Sequence, residues 1–508
     1  MTEIGGRALS TDVFHAIIFE KKPIEISSET LRELQANFDF LKNFSADKVI
    51  YGINTGFGPM AQFKIPYSDR LSLQYNLIRS HSGGSGKPIA EIYCRAMLLD
   101  RLSTFLQCRS GVHPDLILLL KDMLNRNIVP VIYEHGGVGA SGDLVQLAHM
   151  ALAVIGEGEV WFNGEITEAK VAFEKAGLTP FAIRLREGLA MMNGTSCMTG
   201  IGLVNVHYAQ QLLRLSCVIS VTINEILEAY NDHLSEALNE VKRHRGQNEV
   251  AAMMREILKE SKLMRNRQEH LYKEVQETEF KDKVQEYYSL RCTPQILGPI
   301  YDTIQNAEEV LLNELNGVSD NPVIDHHRGN VFHGGNFHGD YVALEMDKLK
   351  IAITKLSMLA DRQLNYLLND KLNGKLPPFI NTLTIGLNFG IQGFQYTATS
   401  TVAENQSLST PVYVHSIPSN NDNQDIVSMG SNAALLCARV IENSFEVLAV
   451  QGYALVEAID YLNKQDLISA APKKLYSGIR SQAPKIMEDR PVFTALRGIK
   501  QFLRTEKI

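Results

Sequence analysis

At 508 residues, 45% hydrophobic and 21% charged, the chain has the length of about three average domains and the apolar content for a large core. A net charge of -7 speaks against a dedicated nucleic-acid surface, and no apolar run reaches the roughly 18 residues a membrane span requires. Six cysteines form no Cys-x-x-Cys pair and stand at no zinc-like spacing from histidine; with no apolar signal core at the N-terminus, free thiols in a reducing cytoplasm and no metal site are expected.

In chain order, the first marked element is Tyr51 with the glycine-laden stretch Gly52 to Gly58, whose composition predicts a flexible loop able to close as a lid. Short strands are expected over 128–132 and over Glu159 to Phe162, the second ending at the turn Asn163-Gly164. Between them, Gly136 to Gly142 is a run of small residues, and a helical pattern follows from Leu144 to Ile155 with Asp143 placed to cap it. Helices then dominate: the stretches 199–234 and 431–461 are long, largely apolar and free of proline. The basic run Lys242-Arg243-His244-Arg245 has acidic neighbours and reads as a solvated helix end rather than a phosphate site. Over 340–369, Leu349, Ile353, Leu356, Ala360, Leu364 and Leu367 recur at helical spacing, with Ile351, Met358 and Leu359 on other faces. Such a helix belongs inside a bundle. The reading is a mainly α chain with small β elements in its first third.

The segment Gly136-Gly137-Val138-Gly139-Ala140-Ser141-Gly142-Asp143-Leu144 admits two readings. Gly137, Gly139 and Gly142 satisfy the spacing of a dinucleotide fingerprint. That reading needs alternating strands and helices downstream, and the chain turns to long helices instead. The second reading uses the small residues to let the Gly142 amide nitrogen reach the Ala140 carbonyl in a strained turn. Ser141 then loses its β-hydroxyl as water, leaving a five-membered ring conjugated to an exocyclic alkene, an electrophile made without an added cofactor.

At these residues the sequence resembles the histidine, phenylalanine and tyrosine ammonia-lyase and aminomutase family, in which the Ala-Ser-Gly triplet matures to 4-methylidene-imidazol-5-one (MIO). The resemblance continues through Tyr51 to Gly58, Asn76 to His81, and Met192-Asn193-Gly194-Thr195. It extends further through Tyr288 to Arg291, Gly334 to Gly339 and Asp422 to Asp425. It implies an ammonia-lyase/fumarase-like fold: a long central helix bundle with a smaller N-terminal α+β portion carrying the MIO loop. Approximate domains of 1–200 (MIO loop and lid) and 201–508 (central and C-terminal bundle) are expected. A homotetramer is also implied, each site drawing residues from three subunits, so Tyr51, Arg291 and Glu404 need not meet within one chain.

Deaminating an α-amino acid to an alkene requires capture of a poor leaving group and a base for a barely acidic β-hydrogen. The resemblance implies MIO from Ala140, Ser141 and Gly142 for the first task and Tyr51 as the base. A free tyrosine titrates near 10, so a tyrosine base calls for partial positive charge nearby, such as helix N-termini supply. Arg291 matches the fork that binds the substrate carboxylate, with Tyr288 and Gln285 in the same site. Asn193 matches the residue contacting the ring and the amine, Phe337 an aromatic packed on the ring, and Gln424 a member of the polar network. For Gln424 and Asn423, helix capping is the alternative; Gly58 closes the lid loop in the same site.

Side-chain selection in the family centres on the pair matching Ser80 and His81. A histidine there can bond a phenol or an imidazole, and an unfilled buried polar partner rejects phenylalanine. Glu404, in Ala403-Glu404-Asn405, matches the glutamate that histidine enzymes set against imidazole, although tyrosine aminomutases share it. The runs Tyr75 to Ser82, Val414-His415-Ser416-Ile417-Pro418 and Asn420 to Asp425 look most like flavobacterial-type tyrosine ammonia-lyases. L-Tyrosine to 4-coumarate is therefore expected, with L-histidine to urocanate and tyrosine 2,3-aminomutation as alternatives.

Overall fold

The computed structural model describes residues 2–272, 278–280, 283–415 and 417–506; Ser416 lies outside them. Two compact units form, Met1–Asn205 with Ala307–Asp347 and Pro411–Leu436, and Val206–Asn306 with Lys348–Thr410 and Cys437–Ile508. Helices make up most of the chain. They include α1 (Arg70–His81), α2 (Glu91–Leu106), α3 (Leu144–Val154), α4 (Glu187–Met192) and α5 (Ser196–Ile226). Beyond them come α6 (Asp340–Leu368), α7 (Gln392–Leu408) and α8 (Gly430–Tyr461).

In the first unit, every residue of α2 from Cys94 to Leu106 is buried. Arg95 is tolerated there because its guanidinium donates to the Ile17 and Leu124 carbonyls at 3.2 and 2.9 Å. Arg186, just before α4, makes a bidentate pair with Asp320 at 3.0 and 2.9 Å, both side chains fully buried. A small antiparallel sheet runs in the order β1 (Val129–Pro130), β2 (Glu159–Phe162), β3 (Glu165–Glu168). Asn163 and Gly164 turn between β2 and β3 with φ of 54° and 83°, the positive values a two-residue hairpin requires.

In the second unit, Leu349, Ile353, Leu356, Ala360, Leu364 and Leu367 of α6 are all at most 2% exposed, as their spacing predicts, whereas Ile351 is 46% exposed. Helix α5 stops at Ile226, short of the expected Leu234. Glu228 takes φ 55° just beyond it, and Lys375 and Lys464 hold its carboxylate at 2.7 and 2.6 Å. Against the cost of burial, those lysines hold the Glu228 carboxyl down to about 2. The same lysines donate to the Leu227 and Ile226 carbonyls at 2.9 and 2.8 Å, so partners distant in the chain occupy the helix end, which no local pattern announces. Lys242 to Arg245 is exposed and leads into the helix Arg245–Ile257, the expected solvated end.

Candidate active site

Gly142 takes φ 68°, and a Cβ placed on it would lie 1.9 Å from the Gly194 carbonyl oxygen. The two glycines form a parallel bridge, secured by Asp143 N–H donating to Gly194 O at 2.8 Å. Only glycine fits position 142. Gly139 is constrained similarly: φ is 76°, and an added Cβ would stand 2.1 Å from Ser428 Oγ. Small residues therefore permit close packing around a half-buried Ser141.

Ser141 is held at both ends. Asn193 Nδ2 donates to its carbonyl at 3.2 Å and Gln424 Nε2 to its hydroxyl at 2.9 Å. The segments carrying these residues run into helix N-termini, α3 after Asp143, α5 after Thr195 and α8 after Met429. Asp143 does not cap α3 through its side chain, contrary to expectation. Its carboxylate accepts instead from Met198 N–H in the first turn of α5, at 2.9 Å, and from Ser431 Oγ in the first turn of α8. One buried carboxylate thus ties the triplet to two other helix starts, whose free N–H groups favour negative charge. Burial pushes the Asp143 carboxyl up to about 6, partly offset by the Ser431 and Met198 donors. The residues present fit the MIO ring: a buried Ala140, a serine facing a cavity, and a glycine already left-handed.

That cavity, of about 320 Å³, lies in the first unit and brings together Tyr51, Gly58, Ser80, His81, Ser141, Asn193 and Gln424. Gly58 N–H donates to the Tyr51 phenol oxygen at 3.1 Å, and Phe57 meets the Tyr51 ring edge to face at 6.0 Å. The start of the expected lid is anchored rather than loose. Residues 52–56 are buried, and Gly52 and Gly56 serve packing: added Cβ atoms would lie 2.2 Å from Leu189 Cδ2 and 2.4 Å from Met60 O.

Helix α1 presents His81. Its Nδ1 lies 3.0 Å from both the Leu77 carbonyl oxygen and Ser80 Oγ; the tautomer that satisfies the carbonyl, which can only accept, has the proton on Nδ1 and leaves Nε2 an acceptor. Gln424 is aimed by an unusual turn in which Asn420, Asn421 and Asp422 all take φ between 54° and 58°. Asn and Asp tolerate that region best among side-chain-bearing residues. Ser419 and Gln424 pair across it, Ser419 N–H donating to Gln424 O at 3.1 Å, so neither Asn423 nor Gln424 caps a helix.

Other expected site residues stand elsewhere. Gln285, Tyr288 and Arg291 line a cavity of about 530 Å³ in the second unit. There the Arg291 guanidinium lies 4.7 Å from the Tyr288 ring centre, and its Nε donates to Glu286 O at 2.8 Å. Glu404, on α7, accepts from Arg439 at 3.1 Å and from Asn443 at 3.1 Å. Phe337 is half-buried and does not line the Ser141 cavity. Leu73, Asn76 and Leu77 line it although no role was expected of them. Their helical spacing from Ser80 was the available signal.

Among the described residues, Glu33, His326 and His327 bring cation-ligand atoms within 4.8 Å of one another. Asn37 opposes a metal there. Its Oδ1 accepts from Gly111 N–H at 2.8 Å and its Nδ2 donates to Ile324 O at 3.0 Å, so the remaining amide hydrogen goes to His326 Nδ1 at 3.1 Å. His326 then carries its own proton on Nε2, the atom facing Glu33, and offers a cation no lone pair.

The profile of the family described as aromatic amino acid lyase matches residues 9–481. The chain is 38% identical over 503 residues to tyrosine 2,3-aminomutase of Myxococcus sp. (strain Mx-B0), covering 97% of this chain and 95% of that protein. It is also 38% identical over 507 residues to histidine ammonia-lyase of Geobacillus sp. (strain WCH70), covering 99% and 96%. The fold matches the crystal structure of tyrosine aminomutase from Streptomyces globisporus with a TM-score of 0.93 at 33% identity, covering 99% of this chain and 96% of that one. A mainly helical chain with this site and these relatives has the ammonia-lyase and aminomutase fold. It belongs to the aromatic amino acid lyase family.

Proposed function

We propose that this chain eliminates ammonia from L-tyrosine at an MIO matured from Ala140, Ser141 and Gly142, without an external cofactor. The observation that carries this reading is the meeting of Ser141, Tyr51 and His81 in one cavity. The ring supplies an electrophile for the substrate amine. Tyr51 takes the β-proton, Asn193 holds the carbonyl of position 141, Gln424 orients the Ser141 hydroxyl before it leaves as water, and His81 accepts the phenol hydrogen bond beside Ser80. A phenylalanine ring would leave that acceptor unfilled, which disfavours it. The relative from Myxococcus and the neighbour from Streptomyces, both named tyrosine aminomutases, favour return of ammonia at the β-carbon over release of 4-coumarate.

Arg291, Tyr288, Gln285, Phe337 and Glu404 complete the site in a cytoplasmic homotetramer, supplied by neighbouring subunits: Arg291 for the carboxylate, Phe337 against the ring. A second reading, L-histidine to urocanate, is supported by Glu404 in Ala403-Glu404-Asn405 and by the Geobacillus relative. Incubation of the purified protein with L-tyrosine, L-histidine and L-phenylalanine, with chromatography of the products, tests these readings. β-Tyrosine as main product is expected, and 4-coumarate alone moves the outcome to the lyase. Urocanate without tyrosine turnover selects the second reading, and no product from any of the three overturns both.

A further inference from the structure

A residue that does not line the Ser141 cavity is bonded to two of the segments that do. Gln74 sits on α1, fully buried, and uses both ends of its amide. Its Nε2 donates to the carbonyl of Gly52, the residue after Tyr51, at 2.8 Å. Its Oε1 accepts from Leu189 N–H in α4 at 2.9 Å. Asn193 follows α4 directly, its N–H bonded to Leu189 O at 2.9 Å. One side chain therefore joins the segment carrying Tyr51 to the helix carrying Asn193.

The neighbouring glycines are shaped to this clamp. A Cβ on Gly188 would meet Gln74 O at 2.8 Å and Gln74 Oε1 at 2.9 Å, and one on Gly52 would strike Leu189 at 2.2 Å. Helix α4 thus approaches Gln74, and the Tyr51 turn approaches Leu189 of that helix, more closely than a side chain would allow. Leucine or methionine would fill the same volume, yet would leave a buried N–H and a buried C=O unsatisfied.

We propose that Gln74 is a positioning residue that sets Tyr51 and Asn193 in register with one another in the Ser141 cavity. The proposal rests on the functional reading above, because it assigns Gln74 to the proton-transfer geometry of that same reaction. Misplacing a reacting group by about 1 Å costs up to about 100-fold in rate.

The experiment compares wild type with Gln74→Met and Gln74→Glu in the assembled protein. Gln74→Met removes both bonds: kcat should fall at least about tenfold while KM stays within about twofold, the split expected when a transition-state interaction is lost. Deuterium exchange should rise together in peptides covering 50–58 and 187–193, in the absence of substrate. Gln74→Glu, whose protonated acid can make both bonds, should restore kcat to within about threefold of wild type. Should Gln74→Met not fold, Gly188→Ala carries the same test, since its methyl presses on the Gln74 amide. Unchanged kcat in a folded variant, or exchange rising in only one of the two peptides, overturns the proposal. A wild type inert to all three amino acids overturns the functional reading instead, and the exchange measurement still decides the clamp.

Discussion

Gln424 Nε2 donates to Ser141 Oγ at 2.9 Å, joining residues 283 positions apart in the chain. Three consecutive left-handed residues, Asn420 to Asp422, fold the segment back so that Ser419 pairs with Gln424. Replacing Gln424 with Met keeps the side-chain length and removes the donor. The hydroxyl leaves as water when the ring forms, so the bond orients it in the precursor: the fold should persist, a neutral hydrogen bond contributing about 1 kcal/mol, while ring formation, and activity with it, falls about tenfold or more. The check is kcat beside a thermal melt; wild-type kcat in a folded variant would detach Gln424 from the site.

Selectivity should follow His81. His81 lines the Ser141 cavity, and with Nδ1–H donated to the Leu77 carbonyl its Nε2 is an acceptor for a phenol. His81→Phe should lower kcat/KM for tyrosine at least about tenfold and raise the phenylalanine-to-tyrosine ratio by about 100-fold or more. Competition assays with both amino acids read that ratio directly, and an unaltered ratio removes His81 as the selector.

Asp100 gives the protein a pH signature unrelated to turnover. Burial pushes its carboxyl up to about 8, with Ser196 and the Arg101 charge offsetting only part of the cost. The folded state therefore holds a proton that the unfolded chain, with an ordinary carboxyl near 3.8, has already released. This contribution is complete below about pH 4 and is lost as pH rises through about 8. Asp100→Asn cannot ionise, so its stability relative to wild type should grow between those limits. Paired melting curves across that range check the slope; a difference that shrinks with rising pH contradicts the assignment.

The Arg186–Asp320 pair should be costly to break. Both side chains are fully buried and bidentate, so Asp320→Ala leaves an uncompensated guanidinium. A loss of about 3–5 kcal/mol is expected by denaturant unfolding. A loss under about 1 kcal/mol would place the pair among the weak surface bridges.

Much of this was legible before the structure. Helix α6 could be read from its apolar stripe, and the β2–β3 turn from Asn163-Gly164, because local periodicity and turn chemistry write themselves into neighbouring residues. Ser141, Tyr51 and Asn193 were named from family motifs, and they meet in one cavity. What escaped was set by distant partners. Just past the end of α5, Lys375 and Lys464 grip Glu228. Asp143 sits where a cap belongs, yet it binds Met198 and Ser431. The glycines at 52 and 56 suggested flexibility, but a glycine required by close packing has the same letter as one required by motion. Gln74 carried no signal at all, since its value lies in two carbonyl-amide partners brought near by folding.

The central claim is that the chain makes its own electrophile from Ala140, Ser141 and Gly142. Closing the Gly142 nitrogen onto the Ala140 carbonyl expels one water, and eliminating the Ser141 hydroxyl expels another. Mass spectrometry of the peptide carrying these residues tests this directly. In active wild-type protein that peptide should be lighter than its sequence by two water molecules, whereas Ser141→Ala should show the dehydrated mass in no fraction and no turnover with the fold intact. An active enzyme whose triplet has the unmodified mass would contradict the account.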